Sequence, residues 1–193
     1  DIHEYILSTP YDISTATFSV AIDHDPSIYG VPRQIRFNKD GSRMFIGMRF
    51  RDRTQHSKIF QYELSEKFSI SSATYNGVFF HVGNEVTNVF HSFGFNQQGT
   101  MLYASDGSFS VAGSGVVHQY SLSVAFDLSS TITFLRSQDL EALADTTTAR
   151  GAREPSAVSF NQDGTRMFLV ESTGNEINPV SYTHLTLPTK QPV

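Results

Sequence analysis

A tandem repeat constrains this chain more than any other feature. Three segments, FNKDGSRMFIG (Phe37 to Gly47), FNQQGTMLYAS (Phe95 to Ser105) and FNQDGTRMFLV (Phe160 to Val170), align without a gap. A second set follows its own pattern: IHEYILSTPYDISTAT from Ile2, IFQYELSEKFSISSAT from Ile59 and VHQYSLSVAFDLSSTI from Val117. The spacings agree with one another. Phe37 to Phe95 is 58 residues and Phe95 to Phe160 is 65, while Tyr5 to Tyr62 is 57 and Tyr62 to Tyr120 is 58. One unit therefore takes nearly sixty residues, and self-similarity at a fixed period marks a chain built from stacked supersecondary units.

Inside a unit, Gln34 to Asn38 and Arg43 to Phe50 are rich in β-branched and aromatic residues, and Lys39-Asp40-Gly41-Ser42 between them is turn chemistry, so the pair reads as a hairpin. Glycine supplies a positive φ without steric cost, and the Asn and Asp side chains bond nearby backbone amides. Lys58 to Leu64 alternates, with Ile59, Gln61 and Glu63 on one face and Phe60, Tyr62 and Leu64 on the other, which predicts a third strand. Ala73 to Val82 makes a fourth after the short connection SEKFSISS, and the next unit begins near His91. Four antiparallel strands in tandem units is the plan of a β-propeller blade.

The fold class expected is thus all-β, a partial β-propeller with two complete and two partial four-stranded antiparallel blades. Residues 1–31 hold the end of one blade, 32–90 and 91–154 two whole blades, and 155–179 the start of another. Propellers close with about four to eight blades, so residues 1–179 read as a fragment of a larger ring. Open blades expose strand edges and apolar faces, which favours association. Residues 180–193 obey a different rule. VSYTHLTLPT (Val180 to Thr189) looks like one reading frame of a widely used transposase sequencing adapter, and INPVSYTHL lacks the expected apolar-x-Gln-Tyr-x-Leu-Ser strand. It is read as a non-native tail, the alternative being a genuine C-terminal extension.

These motifs resemble the β-propeller repeat proteins of bacterial, phage and environmental-sequence origin, whose blades carry F-[NS]-x-DG-[ST]-[KR]-M-[FY], then Q-Y-x-L-S and D-[IV]-S-[ST]-A-[ST]. Phe37 to Phe45, Phe160 to Phe168, Gln119 to Ser123 and Asp12 to Thr17 fit closely. The second blade departs, with Gln98 for the Asp and Met101 for the basic residue. The resemblance implies the fold, and a secreted or cell-surface location. It implies little about function, because propellers host binding, scaffolding and unrelated chemistries.

Composition narrows the classes further. At 39% hydrophobic and 17% charged the chain suits a folded domain rather than a disordered one, and no run approaches the ~18 apolar residues of a membrane helix. DIHEYILS at the start lacks the basic-then-apolar plan of a signal peptide. A net charge of -5 argues against nucleic acid as a partner. With no cysteine, neither disulfides nor thiolate chemistry are available.

Topology suggests where recognition sits. With strands A to D running up and down, A–B and C–D turns share one face and B–C and D–A loops the other. The A–B turns are short and alike, whereas the other loops vary: Asp23 to Gly30, Arg49 to Ser57, Gly83 to Val89, Asp106 to Gly115 and the insertion Ser137 to Glu154. Variable loops on a rigid scaffold are where binding is usually built. The candidate ligand-binding residues are Arg49, Arg51, Arg53, His56 and Asp106. Three guanidiniums in five residues suit a bidentate clamp on a carboxylate or sulfate, and the alternative is a solvated loop whose arginines pair with neighbouring acids.

The insertion contains a short helical pattern near 137–145, with Ser137 as cap, Asp139 and Glu141 in the first turn, and Leu140 and Leu143 on one face. His24 lies between Asp23 and Asp25, and His81 and His91 flank one D–A loop, but none has zinc-site spacing and no calcium loop is complete, so no metal or cofactor is expected. No catalytic residue is expected either, since G-x-S-x-G and phosphate-loop motifs are missing. The repeated Phe37, Phe95, Phe160, Met44, Phe45, Leu102, Tyr103, Met167 and Phe168 read as packing between blades. Two functions remain: a non-enzymatic propeller binding or scaffold protein taking a protein or glycan through the variable loops, and a hydrolase or lactonase-like enzyme whose site needs further blades.

Overall fold

A computed structural model of the chain describes residues 1–22, 30–50, 57–82, 89–107, 115–140 and 155–171. These contain twelve strands and two single 3-10 turns. Sheet I pairs β1 (Ile2–Leu7) with β2 (Ala16–Ile22). Sheet II runs β3 (Val31–Phe37), β4 (Arg43–Arg49), β5 (Lys58–Leu64), β6 (Ala73–His81). Sheet III repeats it with β7 (Val89–Phe95), β8 (Met101–Gly107), β9 (Val116–Leu122), β10 (Ile132–Asp139), and sheet IV pairs β11 (Pro155–Phe160) with β12 (Met167–Glu171). All pairings are antiparallel. The sheets stand side by side in a partial, propeller-like arrangement in which β7 touches both β3 and β11.

The A–B hairpins close as their sequence demands. Asn38 Oδ1 accepts from Arg43 N at 2.9 Å and Asn38 Nδ2 donates to Ser42 Oγ at 3.0 Å, and Asn96 and Asn161 repeat both bonds. Gly41, Gly99 and Gly164 sit at φ 73–74°, where other side chains are strained. Asp40 and Asp163 accept from the backbone and hydroxyl two residues on, bonds that hold both carboxyls below their ordinary pKa. Gln98 replaces this Asp in sheet III and only meets Asn96 Nδ2 at 3.3 Å.

In sheets II and III the C–D turn folds back over the A–B turn of the same sheet. Phe68 N donates to Gly41 O and Phe126 N to Gly99 O, both at 2.9 Å, so the two turn types share one rim. Tyr11, Phe68 and Phe126 adopt positive φ there, and the Phe68 and Phe126 rings lie over the glycines. A Cβ on Gly41 would come within 2.3 Å of Phe68, and one on Gly99 within 2.1 Å of Phe126. Glycine is required twice at each turn, for its φ and for the ring above it.

Between sheets the apolar residues interleave. Met44, Ile46, Met48, Phe60, Tyr62 and Leu64 face sheet I, where Ile2, Val20 and Ile22 meet them. Phe45, Ile59 and Val82 of sheet II pack on Phe90, Phe93, Leu102 and Tyr120 of sheet III. Each fully buried aromatic or Met here contributes ~1.5–3 kcal/mol of transfer free energy. Side-chain amides and carboxylates lock the same junctions. Ile70 N donates to Glu4 Oε2 at 2.8 Å, Leu128 N donates to Gln61 Oε1 at 2.7 Å, and Phe93 N donates to Gln34 Oε1 at 2.8 Å. Arg43 adds a bridge to the next C–D turn through Phe126 O (2.9 Å) and Asp127 (3.4 Å).

The helix expectation changes. Ser137 does not cap a helix: Ser137, Gln138 and Asp139 complete β10 opposite His118, Val117 and Val116, and Leu140 is buried beside Val117 and Val158. The cross-strand register and the burial of Leu140 outweigh a weak helical pattern. Residues 141–145 of that helix lie outside the described residues.

Candidate functional site

Residues 172–193 apart, the segments outside the described residues fall where the sequence puts the B–C and D–A loops, so Arg51, Arg53 and His56, with Asp23, His24 and Asp25, receive no placement. The strand ends that carry those loops are placed. Arg49 closes β4, half-buried, opposite Val31. His91 stands near the start of β7, half-buried, and Arg33 is exposed at the irregularity of β3 between Pro32 and Gln34. These three belong to one electrostatic cluster. Burial is the main force holding His91 below its ordinary pKa, and the charges of Arg33 and Arg49 push the same way; a backbone bond at Gly107 and the charge of Asp106 oppose them. The strand ends of sheets II and III thus set Arg33, Arg49 and His91 on the loop-bearing rim, close enough for both guanidinium charges to act on the imidazole.

Asp106 lies elsewhere than a loop. It sits within β8 at 1% exposure, and its Oδ1 is 3.0 Å from His118 Nε2. His118, at 2% exposure on β9, places Nδ1 2.8 Å from Ser137 Oγ on β10. Three adjacent strands of sheet III are therefore joined through side chains, and Ser137 at the outer end is exposed. Acid, imidazole and hydroxyl stand in relay order, although the hydroxyl meets Nδ1 and the carboxylate Nε2. Sequence spacing gave no hint of this, because 12 residues separate Asp106 from His118 and 19 separate His118 from Ser137. Only the strand register brings them together. Beside it, Ser105 Oγ donates to Pro155 O at 2.8 Å and shares a 2.7 Å bond with Ser92 Oγ, tying sheet III to sheet IV.

A groove of about 720 Å³ opens on the opposite rim, between the A–B turns of sheets II, III and IV. Arg36, Gly94 and Ser159, which are equivalent positions on β3, β7 and β11, line it together with Tyr103, Phe160 and Gly164. The rings of Tyr103 and Phe160 meet at 4.3 Å between centroids, tilted by 39°. Partial burial lowers the pKa of the Arg36 guanidinium, which stays protonated.

Comparison with protein-family models, curated proteins and solved structures finds no match. Among the described residues no helix is long and apolar enough to cross a membrane.

Proposed function

We propose that the chain is a non-enzymatic, propeller-like binding module that takes an anionic protein or glycan partner on its B–C and D–A loop rim. The observation that carries this is the placement of Arg33, Arg49 and His91 at the strand ends where the variable loops depart, within electrostatic reach of one another. Guanidiniums on rigid strand ends offer fork-shaped donors to a carboxylate or sulfate with little ordering cost. Arg51 and Arg53 follow immediately in the sequence and extend the same chemistry. The test is binding of a sulfated oligosaccharide and of its desulfated counterpart to the full chain. Saturable binding of the sulfated form that weakens with salt, and falls at least tenfold in Arg33→Ala/Arg49→Ala, supports the reading. Equal binding of both forms, or none, overturns it.

A hydrolase reading has one observation in its favour, the Asp106–His118–Ser137 relay with its exposed hydroxyl. A fluorophosphonate that labels Ser137 in the native chain, but not in His118→Leu, would move the assignment to it.

A further inference from the structure

We propose that three equivalent β-bulges set Arg33, His91 and Ser156 in a row across sheets II, III and IV, and that an acidic oligosaccharide lies along it. Its charged group meets Arg33, and the hydroxyls of a further sugar meet Ser156. The inference rests on the binding reading above and adds to it the length and the direction of the ligand.

The register of each first hairpin slips at the same place. β3 and β4 pair Pro32 with Met48 and then Gln34 with Gly47, so Arg33 is an extra residue. β7 and β8 pair Phe90 with Asp106 and then Ser92 with Ser105, which makes His91 the extra residue. β11 and β12 pair Pro155 with Glu171 and then Ala157 with Val170, which makes it Ser156. Arg33 to His91 is 58 residues and His91 to Ser156 is 65, the spacings of the repeat itself. Two residues opposite one bend a strand and re-aim a side chain, and such bulges concentrate beside functional sites. Here the device is kept in all three units while its side chain changes from guanidinium to imidazole to hydroxyl. Four residues further on, the packing position is Phe37, Phe95 and Phe160 without change. Constant packing beside a varied polar position is the pattern of recognition rather than of core.

Hydrogen bonds from the chain neighbours of these residues hold the bulges abreast. Gln34 Oε1 accepts from Phe93 N at 2.8 Å and sets β3 beside β7. Ser92 Oγ and Ser105 Oγ share a 2.7 Å bond, and Ser105 Oγ donates to Pro155 O at 2.8 Å, which sets β11 on the other side. Arg33 and Ser156 are exposed, and His91 is half-buried between them, within reach of the Arg33 charge. The row crosses two junctions between sheets, and packed sheets stand about 10 Å apart. One carboxylate or sulfate cannot reach from Arg33 to Ser156, whereas a chain of sugars can. The backbone disfavours an extended peptide in that role. β3 and β7 are edge strands of their sheets, and a peptide joining such an edge needs an unbroken row of donors and acceptors. Pro32 and Pro155 lack the N–H, and each bulge interrupts the ladder. Recognition is thus left to side chains, and a guanidinium followed by a hydroxyl suits an acidic sugar followed by a sugar hydroxyl.

The experiment is titration calorimetry of the full chain with a sulfated tetrasaccharide and with the sulfated monosaccharide of the same unit. The tetrasaccharide is expected to bind tighter by about tenfold or more. Ser156→Ala should weaken it about fivefold, Ser156→Thr should restore it, and Ser156→Arg, which copies the bulge residue of sheet II, should strengthen it. A merely structural serine would not give that gain. Equal affinity for the two ligands overturns the row and leaves the binding reading standing. So does a tetrasaccharide indifferent to all three Ser156 variants while Arg33→Ala/Arg49→Ala still weakens it. Displacement of the tetrasaccharide by an extended acidic peptide of equal charge at equal concentration overturns the choice of a glycan. No saturable binding of either saccharide overturns both readings.

Discussion

Sheets II and III share turns and strand order, yet they fill one equivalent corner in opposite ways. In sheet II the corner is apolar: Met48 and Phe60 belong to one buried cluster, and Phe60 lies 5.9 Å from Phe79, with Lys58 Nζ capping that ring at 4.8 Å. In sheet III the same three register positions are Asp106, His118 and Ser137, joined by hydrogen bonds of 3.0 and 2.8 Å. Neither set is a partial version of the other. The repeat fixes the backbone and leaves the corner free to be filled by dispersion or by a closed polar network, provided that all three members change together.

The largest effect is expected from hollowing the apolar corner. Phe60→Ala removes a ring that is 3% exposed and should cost about 4 kcal/mol in urea unfolding, with no pH dependence. Breaking the polar corner one residue at a time comes next. His118→Leu leaves the carboxylate of Asp106 buried without its imidazole, an expected loss of ~3 kcal/mol. Importing the whole apolar set, Asp106→Met/His118→Phe/Ser137→Phe, should be less damaging than that single change. A triple variant weaker than His118→Leu would show that the polarity itself is required.

A smaller effect should appear on acidification. His91 titrates below the ordinary imidazole value near 6.5 because burial disfavours its charged form. The unfolded chain therefore binds its proton first. His91 contributes full stability above pH 6.5 and loses it as pH falls through that value and below. Urea midpoints measured from pH 8 to pH 5 should fall, and His91→Asn should flatten that part of the curve. An unchanged slope in the variant would assign the pH dependence elsewhere. The smallest effect sharpens the comparison at the opposite rim. Gln98→Asp should give sheet III the side-chain bonds that Asp40 and Asp163 make, raising Tm by about 2 °C.

What could be read from the sequence follows the range of the interactions concerned. The strand Lys58 to Leu64 was legible to the residue, and the A–B turns nearly so, because alternation and an Asn-x-x-Gly turn are local signals. The aromatic at positive φ was not, since only the glycine beneath Phe68 and Phe126 makes that conformation worthwhile, and it lies 27 residues earlier. Ser137 looked like a helix cap for the same reason: the residue that holds it in a strand, His118, is 19 positions away. Asp106 read as loop chemistry because a lone carboxylate after an apolar run usually is, and its burial depends on that same imidazole. Arg33 and His91 belong to no motif, and their neighbourhood to Arg49 exists only once sheets II and III stand side by side.

The amide of Leu128 held by Gln61, and that of Ile70 held by Glu4, have a consequence for how such a chain can change in length. The C–D turns of sheets II and III are each gripped by a side chain of the sheet before, through equivalent positions of β1 and β5. A duplicated sixty-residue segment would arrive with both halves of the contact already encoded, one to hold and one to be held. Gene-level growth or loss of whole units therefore needs no compensating mutation at the new junction, whereas a cut inside a unit leaves a turn ungripped and a glycine uncovered.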